Sequence, residues 1–200
     1  MNILSIDIGM INLALVYVNV NSDYTIKEVV FNKLVNLVDL NYHKDLEDIY
    51  KTNESSDRIR NLILHYNDFF TNADKILIER QPPMGFKCIE QVIFFMYRQK
   101  TVLISPNAMH SFFQIGHLDY DGRKDKTEKI ASEFLSYSSY YNNLERKHDL
   151  ADSMCMIIFY LNSFREKYLK EQKNKEVLQK IKEKNVNFDD YIFNRKGCGC

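Results

Sequence analysis

The stretch LSIDIGMINLALVYV, residues 4–18, decides the fold of this chain. It is apolar almost throughout, yet it carries a carboxylate, Asp7, near its start. The β-rich segments 2–8 and 11–20 are separated by a Gly-Met break, which predicts an antiparallel hairpin. Burying an unpaired charge costs several kcal/mol, so a carboxylate in such a strand needs a partner, a metal or a function. We therefore looked along the chain for residues that would meet it.

The composition is that of a globular protein without a general affinity for polyanions. The 200 residues are enough for one domain with a real core and a short appendage. The formal net charge is zero, so a nucleic-acid partner would have to be bound by a local basic patch. No apolar run is long enough to span a membrane, and the N-terminus lacks the pattern of a signal peptide. We expect an intracellular protein without stable membrane insertion.

The four cysteines do not suggest a secreted disulfide framework. Cys88 and Cys155 fall inside predicted helices, whereas Cys198 and Cys200 form a terminal C-G-C. Two thiols make only half a metal site, and lipidation of them would give a weak membrane tether at most. We expect a flexible tail with free thiols.

Downstream of the hairpin, the hydrophobic pattern predicts alternating helices and strands. A third strand is expected within 25–38, followed by an acidic loop over 41–57 that ends with Ser55 or Ser56 as a helix N-cap. Amphipathic helices are predicted at 59–70, 85–99, 127–137 and 148–168, and short buried strands at 75–79 and 101–105. A three-strand meander followed by such alternation indicates a mixed α/β sheet covered on both faces.

Three further carboxylates lie in settings similar to that of Asp7. Glu79 ends the apolar segment ILIE, at the edge of a sheet where α/β proteins bind ligands. Asp149 and Asp152 are three residues apart at the start of an apolar helix, on one face of it. Each acid alone has a simpler explanation, as a helix cap or as a strand end at the surface.

Taken together, the four acids indicate a metal site. Clustered carboxylates without a cation repel one another and raise one another's pKa values. Oxygen ligands suit Mg²⁺, and two such ions about 4 Å apart can activate a water and stabilise the leaving oxygen of a phosphodiester. We therefore expect Mg²⁺-dependent phosphodiester hydrolysis.

A basic segment, DGRKDKTEKIA at 121–131, could bind the phosphate beside these acids. We expect a loop that leads into a helix, an arrangement suited to phosphates, although such charges also occur on ordinary solvated faces. The spacing does not decide which lysine would enter the site. A second basic run, 165–184, carries eight Lys or Arg and four Glu and is interpreted first as a solvated helix.

Three motifs in order, SIDIGMINLA, ILIERQPP and KHDLADSM, resemble those of the RuvC-like Holliday junction resolvases of the RNase H-like superfamily. The form IDIG-x-x-NLA is most similar to the poxvirus resolvases, and the resemblance covers roughly residues 2–165. It implies an RNase H-like mixed five-stranded sheet, with a three-strand meander, two parallel strands and helices on both faces. The nuclease domain would span residues 1–168, and a charged helical extension with the cysteine tail would span 169–200.

The resemblance also implies roles for individual residues. The acidic tetrad of the family corresponds to Asp7, Glu79, Asp149 and Asp152, which would be catalytic and hold two Mg²⁺ ions, with Mn²⁺ as a substitute. The family's catalytic lysine corresponds to Lys126, with Lys124 as the alternate. Contacts to DNA would come from the basic segment, through Arg123, Lys124, Lys126 and Lys129.

By the same resemblance, the enzyme would be a homodimer that cuts four-way DNA junctions by paired symmetric nicks, with helix 85–99 as the dimer element. It would serve viral DNA recombination, repair and concatemer resolution in the cytoplasm of the infected cell. Three alternatives stay open. They are an RNA-processing nuclease of the same fold, a non-catalytic nucleic-acid-binding module, and an ATPase of the sugar-kinase and actin-like type, whose glycine-rich loops this chain of six glycines lacks.

Overall fold

The computed structural model describes the backbone of residues 1–194 and the side chains of residues 1–180. Within it the chain forms two units, Met1–Leu161 and Asn162–Cys200. The first unit holds the sheet and all the predicted site residues. In the second, residues 165–180 are helical and almost entirely exposed, which agrees with a solvated helix. The GCGC tail, with Cys198 and Cys200, lies outside the described residues.

Five strands form one mixed sheet, as the sequence predicted. Its order is β3-β2-β1-β4-β5. The meander β1-β2-β3 is antiparallel, whereas β4 runs parallel to both β1 and β5. The strands are β1 Asn2–Asp7, β2 Leu13–Val20, β3 Ile26–Val35, β4 Lys75–Glu79 and β5 Thr101–Ile104. The pairing of β1 with β4 therefore joins the N-terminal hairpin to the α/β half of the chain.

The helices lie on both sides of this sheet. They are α1 Ser55–His65, α2 Asn67–Asn72, α3 Lys87–Met96, α4 Pro106–Phe112, α5 Tyr120–Leu135, α6 Ser139–Asn142 and α7 His148–Asn194, with a short 3₁₀ turn at Asp48–Tyr50. Among the residues described, no helix is long and apolar enough to cross a lipid bilayer.

Two helix boundaries differ from the prediction. The helix expected at 59–70 is broken at Tyr66 into α1 and α2, and its N-cap position is Glu54 rather than Ser55 or Ser56. The second difference affects the candidate site, because the predicted basic loop is helical and α5 begins at Tyr120.

The early start of α5 has a local cause. Asp119 occupies the N-cap position, and its side chain accepts a hydrogen bond from the Gly122 amide at 2.8 Å. The first turns of α5 are polar, so hydrophobic periodicity could not reveal them. The basic residues therefore stand on a helix with a defined face.

The two faces of the sheet bury separate apolar clusters because side chains alternate along each strand. Leu4 and Ile6 of β1 pack on one face with residues of α1, α2 and α3. Ile3 packs on the other face with residues of α5 and α7. By this alternation Asp7 falls on the same face as Ile3, which is the face covered by α7.

Candidate active site

Four carboxylates converge at one edge of the sheet. Asp7 is the last residue of β1 and Glu79 the last of β4. These strands are parallel neighbours, so their carboxyl ends meet at the same edge. Asp149 and Asp152 stand in the first turns of α7, and the charges of both act on Asp7, as does that of Glu79. The structure therefore brings together the four acids that the sequence singled out.

Their electrostatics are those of a cluster without a sufficient countercharge. The pKa of Asp7 is raised well above its usual value by burial and then by repulsion from the other three acids. Burial, followed by the charge of Asp152, raises the pKa of Glu79 to about 7. Burial likewise raises the pKa of Asp152 to about 6, although hydrogen bonding to Thr127 opposes the shift. At neutral pH the cluster must hold protons or bind cations.

A buried serine fastens α7 to the strands beside Asp7. The Ser153 hydroxyl accepts a hydrogen bond from the Asp7 amide at 3.0 Å and donates one to the Ala14 carbonyl at 3.3 Å. Ser153 is fully buried, and Ala14 is the register partner of Asp7 on β2. Sequence reasoning missed this residue, whose signal was a hydroxyl directly after Asp152 in an otherwise apolar helix.

Arg146 is a second residue that the sequence reasoning missed. Its Nε donates to Asp149 Oδ2 at 2.6 Å and its Nη2 donates to Asp149 Oδ1 at 3.0 Å, forming a bidentate ion pair. The same guanidinium lowers the pKa of Asp7 in part, against the larger effect of burial. Arg146 therefore supplies positive charge to the cluster. Its signal was a basic residue three positions before Asp149.

Of the basic residues on α5, the structure places Lys124 nearest the carboxylates. Its Nζ lies 2.8 Å from His148 Nε2, and its charge acts on Asp152 to lower the pKa of that acid in part. Lys126 and Lys129 are exposed, and in the described part of the chain no hydrogen bond or ion pair joins either to the cluster. Lys124, the alternate given by the resemblance, is therefore the lysine of α5 whose charge acts on the cluster, and the assignment of the catalytic lysine to Lys126 stays a prediction.

The helical start of α5 explains this register. Lys124 precedes Thr127 by three residues, and Thr127 is buried against the core with its hydroxyl donating to the Lys124 carbonyl. Residues three apart share one face of a helix, so Lys124 points with Thr127 towards α7, and Lys126 points away.

The donor set suits a hard divalent cation. Four carboxylates offer only oxygen ligands, and burial together with mutual repulsion, which raises the pKa values of Asp7, Glu79 and Asp152, would be relieved by such an ion. Over residues 1–180, however, no three Asp, Glu, His or Cys side chains are already arranged to hold an ion. Arg146 engages both oxygens of Asp149, so a cation bound through Asp149 would share that carboxylate with the guanidinium or displace it.

Comparison with known proteins agrees with this geometry. The fold is similar to that of the fowlpox virus resolvase in its complex with substrate Holliday junction DNA, at 19% identity over 82% of this chain and 99% of that one, with a TM-score of 0.59. It is also similar to the yeast mitochondrial Holliday junction resolvase Ydc2, at 18% identity over 84% of this chain and 85% of that one, with a TM-score of 0.58.

A bacterial structure shares the fold as well. Thermus thermophilus RuvC in complex with Holliday junction substrate matches at 15% identity over 82% of this chain and 98% of that one, with a TM-score of 0.52. Likeness at these identities establishes the fold. No curated protein sequence matches the chain.

The family model of the poxvirus A22 protein matches residues 1–164, which is most of the chain and includes all four carboxylates. This match agrees with the motif resemblance, the sheet order and the placement of the acids. The chain belongs to the poxvirus A22 protein family, the family of poxvirus Holliday junction resolvases.

Proposed function

We propose that this protein is a metal-dependent endonuclease that resolves four-way DNA junctions by paired symmetric nicks. One observation carries the proposal: four carboxylates from β1, β4 and α7 converge at one sheet edge in a chain of the resolvase family. Burying like charges side by side destabilises a protein unless a ligand or a reaction uses them. A non-catalytic binding module would gain nothing from such an arrangement.

In this proposal Asp7, Glu79, Asp149 and Asp152 hold two Mg²⁺ ions, for which Mn²⁺ can substitute. The ions supply Lewis-acid stabilisation of the charge that develops on the scissile phosphate. The protein contributes a rigid placement of the ligands, because Ser153 ties the Asp7 backbone to α7. The acids with raised pKa values release their protons when the ions bind.

The basic residues near the cluster have separate tasks. Lys124, whose charge acts on Asp152, is placed to bind the scissile phosphate or neutralise its charge. Arg146 compensates Asp149 in the metal-free protein and is freed when that carboxylate turns to a cation. Arg123, Lys126 and Lys129 on α5 contribute phosphate contacts, which make junction binding sensitive to salt.

An exposed apolar surface supports the homodimer. On α3 and the turn before it, Phe95 is 86% exposed and Met84 is 98% exposed, with Phe86 and Met96 also open to solvent. Large apolar side chains exposed on and beside one helix are candidates for such a contact. A four-way junction is two-fold symmetric, so a two-fold dimer presents two active sites to opposite strands. Sedimentation of the wild type against Phe95→Glu tests this surface, with a monomeric variant expected.

We further propose that the enzyme acts in the cytoplasm of the infected cell, in recombination, repair and concatemer resolution of viral DNA. Family membership supports this role. A weak lipid tether through Cys198 and Cys200 stays a prediction, since both residues lie beyond the described part of the chain.

The test is cleavage of a synthetic immobile junction with and without Mg²⁺. We expect paired, symmetric nicks that ligase can reseal, and no cleavage in EDTA. Duplex DNA and structured RNA of matched length serve as controls. Preferential cleavage of the RNA would favour the RNA-processing alternative, and random nicking of the duplex would contradict junction specificity.

A further inference from the structure

A polar cleft of about 440 Å³ lies between α4 and α5. Its lining consists of Asn107, His110, Ser111, Gly116 and Arg123. Every side chain in this lining is either a neutral hydrogen-bonding group or a basic one. No large apolar residue lines the cleft, which does not suit a lipid chain. These properties suit a small oxygen-rich anion.

The two basic groups of the cleft lack acidic partners. Arg123 donates from Nη1 to the Leu118 carbonyl at 2.5 Å, which anchors the guanidinium to the chain that enters α5. Its charge reaches His110 and, after burial, is the second cause that lowers the pKa of that imidazole. Among the side chains of residues 1–180, no carboxylate lies within ion-pair distance of either group. The cleft thus has one uncompensated positive charge, that of Arg123, because the lowered pKa of His110 leaves the imidazole neutral at neutral pH.

The cleft stands at the same sheet edge as the carboxylates. Ile104, the last residue of β5, is the register partner of Glu79. α4 begins two residues later, at Pro106, and carries Asn107, His110 and Ser111. On the other side, Arg123 directly precedes Lys124, which reaches the cluster. The elements that position the proposed active site therefore also form the walls of the cleft.

We propose that this cleft binds a second phosphate of the DNA backbone, distinct from the phosphate that is cut. The guanidinium of Arg123 can bind it through two parallel hydrogen bonds, and the Ser111 hydroxyl and Asn107 amide add neutral donors. Phosphate contacts fix the register of a protein on DNA without reading its sequence. The cleft sets which phosphodiester of the strand reaches the carboxylates. This inference rests on the proposed function, since it takes junction DNA as the substrate.

The test uses Arg123→Gln with Lys44→Gln as a matched control, because Lys44 is exposed in the acidic loop and the net charge changes equally. Binding to the immobile junction is measured in EDTA over a range of salt, and nick positions are mapped in Mg²⁺. For Arg123→Gln we expect about tenfold weaker binding and a salt slope smaller by about one. We also expect nicks spread over neighbouring phosphodiesters. Lys44→Gln should bind and cut as the wild type does.

A second variant guards against loss of structure at Arg123, which also anchors the entry to α5. Ser111 is exposed, so Ser111→Asp adds a carboxylate to the cleft without touching that anchor. It should weaken binding and spread the nicks in the same way, with unchanged melting temperature. The inference is overturned if both variants bind and nick like Lys44→Gln while the wild type resolves the junction. If the wild type neither binds nor cuts the junction, the proposed function fails instead.

Discussion

Two groups of buried acids in this protein behave in opposite ways. Glu90 on α3 is 0% exposed, yet its pKa is lowered. The acids of the active-site cluster are no more buried, and the pKa values of Asp7, Glu79 and Asp152 are all raised. Burial is the largest cause of the raised pKa values in the cluster, whereas at Glu90 hydrogen bonds outweigh it.

The difference lies in the donors around each carboxylate. Glu90 Oε2 accepts from the Gln81 amide at 2.7 Å, and Oε1 accepts from Lys87 Nζ at 2.6 Å and Gln91 Nε2 at 2.8 Å. These bonds outweigh the cost of burial. In the cluster Arg146 pairs with Asp149, whereas burial and mutual repulsion dominate at Asp7 and Glu79. Donors of this chain satisfy the charge of Glu90, whereas the carboxylate cluster lacks enough donors and requires cations from solution.

The two regions are also joined. Gln81, whose backbone Glu90 holds, follows Glu79 by two residues, and its side chain donates to the Glu79 carbonyl at 3.4 Å. Through Gln81, Glu90 therefore helps to fix the segment that carries Glu79, a member of the carboxylate cluster. The predictions below test each half of this contrast.

The largest effect is expected from Asp7→Asn. Removing one ligand should lower junction cleavage by more than about a hundredfold, beyond the loss caused by outer-shell partners of a metal. Junction binding should persist, and the metal-free protein should melt at a higher temperature because the repulsion is relieved. Gel assays and thermal melting measure these effects. The matched control is Asp68→Asn, an exposed acid on α2; cleavage by Asp7→Asn equal to that of this control would refute the assignment.

The next largest effect is expected in the free energy of unfolding of the metal-free protein, which should change by a few kcal/mol with pH. The folded pKa values of Glu79 and Asp152, about 7 and about 6, exceed their unfolded values of 4.5 and 3.8. The folded state then binds more protons between pH 4 and 7, so the free energy of unfolding falls as the pH rises through this range. Above this pH range both carboxylates are ionised in the folded and the unfolded protein, and the loss of stability from their burial is complete.

Melting in EDTA from pH 4 to pH 8 measures that dependence. Subtracting the curve of Glu79→Gln isolates the Glu79 contribution, because other acids such as Glu90 contribute with the opposite sign. Added Mg²⁺ should raise the melting temperature near pH 8 and have little effect near pH 4. A difference curve that rises with pH would show that the cluster is compensated by another group.

Glu90→Ala should destabilise the protein by about 2 kcal/mol, since three hydrogen bonds to a buried carboxylate are lost. Glu90→Gln, which keeps one acceptor, should cost less. Urea unfolding measures both, with Glu133→Ala on the exposed side of α5 as the control. We also expect Glu90→Ala to need more Mg²⁺ for half-maximal cleavage. Equal stability of the Glu90 and Glu133 variants would contradict the view of Glu90 as a completed site.

The smallest effect separates the two lysines. Lys124→Met should lower the cleavage rate at saturating protein by about tenfold, because a charge beside Asp152 is lost. Lys126→Met should change only the protein concentration needed for half-maximal cleavage, because a phosphate contact is weakened. Single-turnover cleavage distinguishes rate from affinity. The reverse pattern would restore Lys126 as the residue of the site.

Much of this fold was predictable because its strands are short and continuously apolar. β4 was predicted at 75–79, where the structure has Lys75–Glu79, and the alternation of elements predicted a mixed sheet covered on both faces. The four acids were predictable because each interrupts or ends an apolar segment. Apolar segments and the acids that interrupt or end them are local features of the sequence, so hydrophobic periodicity is enough to find them.

The parts that were missed depend on capping and on tertiary contacts. The first turns of α5 are polar, so only the Asp119 cap marks them, and the loop predicted there is wrong. Arg146, Ser153 and Glu90 act through partners on other elements or on the opposite side of a turn. The amino-acid sequence alone does not reveal such pairings.

The hydrogen bond from the Asp7 amide to Ser153 joins residues 146 positions apart. A ribosome adding about 5–20 residues per second needs roughly 7–30 s to make the intervening chain. During that interval β1 exists without the helix that completes the acid cluster. In the proposed function, which needs Asp149 and Asp152, the emerging polypeptide lacks part of its metal site during this interval, and we expect a product that terminates before α7 to be inactive. The order of synthesis itself delays nuclease activity until the domain is nearly whole.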